Sequence, residues 1–385
     1  MSTSPRVTIR DIARKANMHF TTVSLALRNS PKLKIETREK IQKLAESMGY
    51  RPDPMLAALN AYRQANRPVH YQASLAWVHN WANPENLYGC EEFNQYYLGA
   101  CDRAAERGYN IEEFALAKDG ITIDRLHRIL RARNIQGTLL APQPSAKSFL
   151  DLRYDELSAV AFGFSMRPAV LHLVTNHHYH TMMMLMEKVL EFGYRRPGLC
   201  IPRDWNYKVD CAWQSVFLLF LDEHPELARI PIYWGIWDNA HDVSLAAWIS
   251  ENRPDVILAF NEARAAVENV GFRIPQDVAF AGAFLNKDES VMSGVHQNDY
   301  LIGQKAVDMV IDMLHRGETG IPRTPVRMLV EGEFYPGTTM PDLRKAADPA
   351  DRAGRQKAAK SRDRKLPASR GSRPPRRAGT AAGSS

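Results

Sequence analysis

Short apolar runs alternate with amphipathic stretches between residues 73 and 340, and this alternation constrains the fold more than any other feature of the sequence. Runs such as GTLLAP, LSAVAFG and AVLHLV are short and uncharged, as buried strands are. Strands separated by helical patterns of about 10–15 residues predict βαβ units and parallel sheets. A body of about 270 residues exceeds one small domain, so we expect two α/β lobes.

Charge is distributed unevenly along the chain. Residues 1–67 carry 13 Lys and Arg against 5 Asp and Glu, residues 341–385 carry 13 against 4, and the region between them is acidic. Basic ends on an acidic body indicate that polyanion binding is confined to the ends. The segment 341–385 is rich in Ala, Gly, Pro, Ser and Arg, so we expect a disordered tail. The tail acts either as a non-specific nucleic-acid tether or as a solubilising extension.

Motifs of several function classes are missing from the sequence. No run of about 18 uncharged apolar residues predicts a membrane span, and the first residues contain no apolar signal segment. The four cysteines form no CxxC pair, which favours reduced thiols in the cytoplasm. No P-loop, GxSxG, HExxH or GxGxxG motif is present. We therefore expect a cytoplasmic protein that is not an enzyme, with no catalytic residues and no cofactor.

The first 52 residues have the pattern of short helices separated by tight turns. Thr8 is a candidate N-cap with Asp11 in the first turn, and the apolar positions of residues 9–16 fall on one face. A second helix over residues 20–27 follows a tight turn at 17–19, and a third opens at Glu36. This arrangement predicts a helix-turn-helix unit with a small core.

The sequence of this head resembles that of a known family. The segments VTI, DIA, TVS, TREKI and GYRP match the head of LacI/GalR-family transcription regulators with little insertion. The body resembles the same family more loosely through RAAERGYNI, EFGYRRPGLCI and RIPQDVAFAG, in the same order. The resemblance implies a λ-repressor-like helix-turn-helix head (1–52), a hinge helix and linker (53–72), and a periplasmic-binding-protein-like domain of two α/β lobes (73–340).

The resemblance also implies that the second head helix enters the major groove of DNA. Positions that would face base edges are Phe20, Thr21 and Leu25. Positions that would hold phosphates are Thr8, His19, Thr22, Ser24, Arg28, Thr37 and Tyr50. Residues 19–27 contain no Arg, Gln or Asn for a bidentate base contact, so the operator sequence is not predicted. Packing within the head is the alternative interpretation for Phe20 and Leu25.

Residues 54–59, PMLAAL, match the hinge helix of the family. Leu59 lies where the family places a leucine wedge that kinks the duplex, and a linker helix packed on the body is the alternative. Two heads and two hinge helices imply a homodimer on a pseudo-palindromic operator. The resemblance as a whole implies a repressor that is associated with the nucleoid. An effector closing the lobes would alter hinge pairing, which links effector and DNA affinity.

The family binds its small-molecule effector between the lobes. The candidate contacts in this chain are Asn261, Gln297, Trp81 and Trp205. Ala283-Phe284-Leu285 replaces an acidic pair expected from the family, and Asn176 replaces an aspartate. Fewer charges and more aromatic rings predict a sugar or a less polar ligand, whereas core packing is the alternative for each tryptophan.

Three further interpretations remain at the level of sequence. The histidines of HHYH (177–180) suggest a metal site, but no distant partner stands at ligand spacing, so we expect no metal. A solute-binding protein or enzyme of the same fold would require a signal peptide or a catalytic motif. An architectural DNA-binding protein that relies on the basic tail is the main alternative to an effector-controlled repressor.

Overall fold

The computed structural model describes residues 7–27, 33–50, 73–146, 148–235, 243–285 and 291–347. The predicted hinge residue Leu59 and the predicted phosphate contact Arg28 lie outside these ranges. None of the described helices is long and apolar enough to cross a bilayer.

Three short helices form the head: α1 (Ile9–Ala16), α2 (Phe20–Leu27) and α3 (Ile35–Ser47). Thr8 and Asp11 form a capping box at the start of α1, in which each side chain accepts a hydrogen bond from the other residue's backbone N–H. Asn17 ends α1 in the left-handed conformation, with φ of 50°. The N-cap and the turn between α1 and α2 predicted from the sequence are therefore confirmed.

The head has a small core of its own. Its buried side chains come from all three helices and are Ile12, Ala13, Val23, Ala26, Ile41 and Ala45. Half-buried side chains, including Leu44, Met48 and Tyr50, pack around them. Most of these residues are small or β-branched, so the helices approach closely and little apolar area is buried.

The first lobe contains a six-stranded parallel sheet of order β10-β5-β4-β3-β1-β2. Its strands are β1 (Ala73–His79), β2 (Tyr109–Ala115), β3 (Gly137–Leu140), β4 (Ser158–Phe162), β5 (His172–Asn176) and β10 (Arg327–Val330). Its helices are α4 (Glu85–Tyr88), α5 (Glu91–Glu106), α6 (Leu116–Asp119), α7 (Ile123–Ala132) and α13 (Asp299–Arg316), with a 3₁₀ turn at Tyr154–Glu156.

The second lobe contains a five-stranded sheet of order β11-β9-β8-β7-β6, in which only β11 is antiparallel to its neighbour. Its strands are β6 (Pro197–Cys200), β7 (Val256–Ala259), β8 (Ala279–Leu285), β9 (Ser293–His296) and β11 (Glu333–Tyr335). Its helices are α8 (His178–Glu191), α9 (Arg203–Lys208), α10 (Ala212–Glu223), α11 (Val243–Asn252) and α12 (Glu262–Asn269). The predicted two-lobed α/β body is confirmed.

The chain passes between the lobes three times, and the three crossovers lie together. They follow β5, β9 and β10, and backbone and side-chain hydrogen bonds join them. The N–H of His177 donates to Val330 O at 2.8 Å, and Asn298 Nδ2 donates to Glu331 O at 2.9 Å. These crossovers are called the hinge between the two lobes, and the predicted helix at residues 53–72 is called the hinge helix.

Helices α5 and α13 pack closely on one face of the first lobe. A Cβ atom on Gly99 would overlap the backbone carbonyl of Tyr300, and one on Gly303 would overlap that of Tyr96. Glycine is therefore required on both helices for this approach. Because α13 begins at the hinge and α5 begins beside the cleft between the lobes, the contact couples these two regions.

The predicted boundary of the tail at residue 341 needs a correction. Leu343–Ala347 forms a short helix, α14, and the N–H of Leu343 donates to Phe192 O at 2.9 Å. Tyr194 Oη also donates to Pro341 O at 2.8 Å. Backbone and side-chain hydrogen bonds thus attach these residues to the second lobe, and the prediction of disorder from 341 is wrong for this part.

Candidate functional site

One face of α2 is exposed, and the opposite face fills the core of the head. Val23 and Ala26 are buried, whereas Phe20 is 50% exposed and Thr21 is also exposed. His19 lies directly before the helix, where its Nδ1 is 2.8 Å from Thr21 Oγ1 and its ring lies 4.7 Å from that of Phe20. An aromatic ring, a hydroxyl and an imidazole therefore project together from the start of α2.

The other residues predicted to contact DNA are placed less uniformly. Leu25, Thr22 and Ser24 are half-buried, so Leu25 belongs neither to the closed core nor to the open surface. Thr8 is exposed but its hydroxyl is engaged in the capping box, where it donates to Asp11 at 2.6 Å. Thr37 is half-buried on the first turn of α3.

A narrow cavity lies between the lobes. Most of its lining is aromatic, with a few polar groups among the rings. The lining residues are Glu92, Phe93, Tyr96, Pro142, Phe162, Phe164, Ser165, His178, Trp205, Lys208, Val209 and Phe284. Both lobes contribute, since α5 and β4 belong to the first and α8, α9 and β8 to the second.

Trp205 joins the apolar cores of the two lobes. Its ring stacks on Phe93 of the first lobe at 5.5 Å and lies 4.9 Å from Phe260 of the second. A hydrogen bond next to this ring also joins the two lobes, since Asp204 Oδ1 accepts from the N–H of Ala146 at 3.1 Å. Helix α9 thus holds the two lobes together beside the cleft.

Lys208 is buried beside the same rings. Its Nζ donates to Pro144 O at 2.9 Å and lies 4.8 Å from the centroid of Trp205 and 5.7 Å from that of Trp81. Burial lowers the pKa of the ammonium, and the nearby carboxylate of Asp204 opposes that shift. The two indoles and the carbonyl replace part of the water that the cation loses.

Two carboxyl groups lie where the cleft meets the hinge. Burial raises the pKa of Glu92 to about 7. Burial, reinforced by the nearby charge of Glu92, raises the pKa of Asp299 to about 8. Asn176 links this pair to the cleft, since its Nδ2 donates to Asp299 at 2.8 Å and its Oδ1 accepts from Tyr96 at 2.5 Å.

His178 is a buried polar group that faces the cleft. Burial lowers its pKa to about 3, so the imidazole is neutral at physiological pH. Its Nε2 lies 3.3 Å from Thr175 Oγ1. Its Nδ1 is buried and has no hydrogen-bond partner among the residues that the structure describes. A polar atom in this position suits a ligand in the cleft.

The four predicted effector contacts occupy different positions. Trp205 lines the cleft. Trp81 lies next to the lining residue Lys208, and the Nε1 of Trp81 donates to Pro142 O at 2.8 Å. Gln297 lies in the hinge, where its Nε2 donates to Ala283 O at 2.5 Å and to Thr181 Oγ1 at 3.0 Å. Asn261 precedes α12 and lies against Gly282 of β8, outside the cavity lining.

Sequence reasoning missed most of the lining. Glu92, Phe93 and Tyr96 come from α5, and none of them was proposed as a contact. Lys208 and His178 were not proposed as contacts either. Phe284 was noted as a replacement for an acidic residue, and its ring indeed lines the cleft. No motif could identify these residues, because they converge only in the folded chain. By contrast, Trp77 and Trp213 are fully buried in single cores, as the packing alternative predicts.

Comparisons with known proteins agree with this architecture. Residues 8–53 match the model of the lacI family of bacterial regulatory proteins. The HTH-type transcriptional regulator CelR of Thermobifida fusca is 24% identical over 347 residues, which are 85% of this chain and 96% of that protein.

The head is that of a LacI-family regulatory protein, and the likeness to CelR extends through the body.

A second relative matches this chain over the head alone. The "Probable HTH-type transcriptional repressor ExuR" of Bacillus subtilis (strain 168) is 55% identical over 47 residues, which are 12% of this chain and only 14% of that protein.

Two solved structures resemble the fold of this chain over 87% of its length. A complex of the regulator CelR with cellobiose has 20% identity and a TM-score of 0.52, and all of that chain is covered. A lac repressor dimer bound to operator and an anti-inducer has 16% identity and a TM-score of 0.51, with 99% of that chain covered. These likenesses support the order of a helix-turn-helix head followed by a two-lobed body.

Proposed function

We propose that this protein is a homodimeric repressor that binds a pseudo-palindromic operator and releases or tightens it when a small molecule occupies the cleft between its lobes. The observation that carries the proposal is the exposed start of α2 on a head that matches the LacI family. Helix-turn-helix heads read DNA through this part of the second helix, and a twofold dimer reads two half-sites.

Phe20 and Thr21 are the residues we assign to base contacts. Both are exposed on the face of α2 opposite the core, and together they offer a hydroxyl and an apolar surface. Such groups suit a thymine methyl or a single acceptor rather than a bidentate guanine contact. The residues proposed to hold phosphates are Thr8, His19, Thr22, Ser24, Arg28, Thr37 and Tyr50. Leu59 is proposed to insert between base pairs as the wedge of the hinge helix.

The cleft suits a ligand with one apolar face and a few hydroxyls. Phe93 and Trp205 are among the aromatic side chains that line the cleft, and proteins commonly hold a pyranose ring against such side chains. His178 Nδ1, Ser165 and Glu92 are polar groups in the same lining. The bound cellobiose named for the CelR structure is consistent with a sugar, and we propose a sugar or related polyol as the effector.

Selection of duplex DNA by the purified full-length protein tests the proposal. At physiological salt we expect enrichment of a two-fold symmetric sequence. Binding to the selected duplex is then measured with a panel of sugars, beginning with cellobiose. If no selected sequence binds more tightly than scrambled competitor DNA, the repressor proposal is contradicted. A selected site that responds to none of the sugars would contradict the effector class alone.

A chain ending at Ala347 separates the proposal from the architectural alternative. If the head determines specificity, removing the basic residues beyond 347 should weaken binding to operator and to random DNA by the same factor. The ratio of the two affinities should then stay unchanged. An architectural protein would instead lose nearly all DNA affinity on truncation and lose little on substitution of Thr21.

A further inference from the structure

Three potential metal ligands meet at the hinge between the lobes. His177 and His180 lie at the start of α8, and Glu331 lies in the crossover after β10. One ligand atom from each residue can be chosen so that all three lie within 4.8 Å of one another. Glu331 is the distant carboxylate partner whose absence from the sequence pattern argued against a metal site.

The two imidazoles lie beside each other and beside one carboxylate. Their rings stack at 3.7 Å with an angle of 5° between the planes, so one ring must turn before both nitrogens can direct their in-plane lone pairs at one ion. His180 Nδ1 is 3.0 Å from Glu331 Oε1, and His177 Nε2 is 3.9 Å from the same oxygen. Two imidazole nitrogens and a carboxylate oxygen, with room for water, form a typical first coordination sphere for a divalent transition metal.

We propose that His177, His180 and Glu331 bind one divalent transition metal ion of the zinc or nickel class at the hinge. Metal–ligand bonds of about 2.0–2.2 Å require the three atoms to approach by roughly 1 Å. His180 and Glu331 are half exposed, so changes of side-chain rotamer suffice. Water completes the coordination sphere on the exposed side.

Proton positions are compatible with binding. The Nδ1 of His177 accepts a hydrogen bond from the backbone N–H of His180 at 3.3 Å, a long and weak contact. When the metal takes Nε2 of His177, the proton of that nitrogen moves to Nδ1 and the weak cap is lost. The carboxylate of Glu331 can only accept, so Nδ1 of His180 carries the proton in that contact, and binding of the metal through Nδ1 moves this proton to Nε2. Neither the metal nor the protein changes oxidation state.

A metal at this place would connect two of the three crossovers. His177 follows β5 and Glu331 follows β10, and Asn298 in the third crossover already donates to Glu331 O. Opening of the lobes requires these segments to change their relative backbone angles. A bound ion therefore stiffens the hinge and opposes that movement, independently of any ligand in the cleft.

Isothermal titration of the full-length protein with ZnCl₂, and separately with NiCl₂, tests the site. We expect one saturable site in the wild type, and binding at least tenfold weaker in His180→Asn and in Glu331→Gln. His224→Asn is the matched control, because His224 also pairs with a nearby carboxylate, Glu226, on the exposed surface. This control should bind like the wild type.

Two outcomes would overturn the proposal. The first is no saturable binding by the wild type, and the second is equal binding by the wild type and both hinge variants. Melting curves without metal establish that the variants fold, and the metal should raise the melting temperature of the wild type and the control only. Since the readout uses no DNA and no sugar, failure of the repressor proposal leaves this test unaffected.

Discussion

The recognition surface of the head and the cleft of the body are built in opposite ways. The head presents Phe20 and Thr21 on a single helix, within a segment that a short motif identifies. The cleft gathers its rings and polar groups from α5, β4, α8, α9 and β8, and it closes only when both lobes fold. A local surface can be altered without loss of stability, whereas the cleft depends on packing far from its lining.

The largest expected effect comes from breaking the packing that supports the cleft. Gly303→Val places a side chain against the backbone of Tyr96, and we expect a loss of about 3 kcal/mol in the free energy of unfolding. Denaturant titration measures it. Leu301→Ala, on the exposed side of the same helix, is the control and should cost less than about 1 kcal/mol. Equal stabilities would show that the helix contact does not support the body.

Trp205→Ala should remove a contact shared by the two lobes. Loss of stacking on Phe93 and Phe260 is expected to lower the free energy of unfolding by about 2 kcal/mol and to abolish the effector response. Operator affinity without effector should change less than twofold. Tyr207→Ala, an exposed aromatic residue on the same helix, serves as control. An effector response that survives in Trp205→Ala would exclude the indole as a ligand contact.

Thr21→Ala should affect DNA binding and little else. Loss of one base contact is expected to weaken the operator complex about tenfold, or about 1.4 kcal/mol, as measured by fluorescence anisotropy. Stability should change by less than about 0.5 kcal/mol, because the side chain is exposed. Glu46→Ala, exposed near the end of α3, should bind normally. A tenfold loss that is equal on operator and random DNA would assign Thr21 to the phosphates.

Glu92→Gln should change how stability depends on pH. An unfolded glutamate loses its proton near pH 4.5, whereas burial keeps Glu92 protonated in the folded chain until about pH 7. Between these values the folded state binds more protons, so stability falls as the pH rises. Urea titrations at pH 5 and pH 8 should show a drop in the wild type that is about 1 kcal/mol smaller in Glu92→Gln.

Glu223→Gln, an exposed carboxylate on α10, provides the control for this pH dependence. Asp299→Asn should act in the same direction as Glu92→Gln, with the window extended to about pH 8. If neither Glu92→Gln nor Asp299→Asn reduces the change of stability with pH, other groups determine that pH dependence.

Elements defined by continuous local patterns could be predicted from the sequence. Helix α2 matches its predicted bounds of residues 20–27, because it lies between clear turns. β2 and β10 were not predicted. Both are partly exposed strands, and β10 lies at the edge of its sheet with three of four residues exposed, so neither shows a continuous apolar run.

The cleft could be predicted only in kind. An aromatic, weakly charged site followed from the substitutions around Phe284 and Asn176, but the partners of each side chain depend on how two lobes approach. Glu92 shows the difficulty, because nothing in the sequence EEF distinguishes a buried glutamate from an exposed one. Glu331 is a similar case, since it lies about 150 residues from the histidines it meets and no local spacing connects them.

The position of Trp205 gives the protein an internal optical reporter. The indole lies between two apolar cores that separate when the cleft opens, whereas Trp77 and Trp213 are sealed inside one lobe each. Opening would transfer Trp205 alone of these three into water, and its emission would shift to longer wavelength. The same exposure costs free energy, so burial of this ring favours the closed arrangement of the lobes.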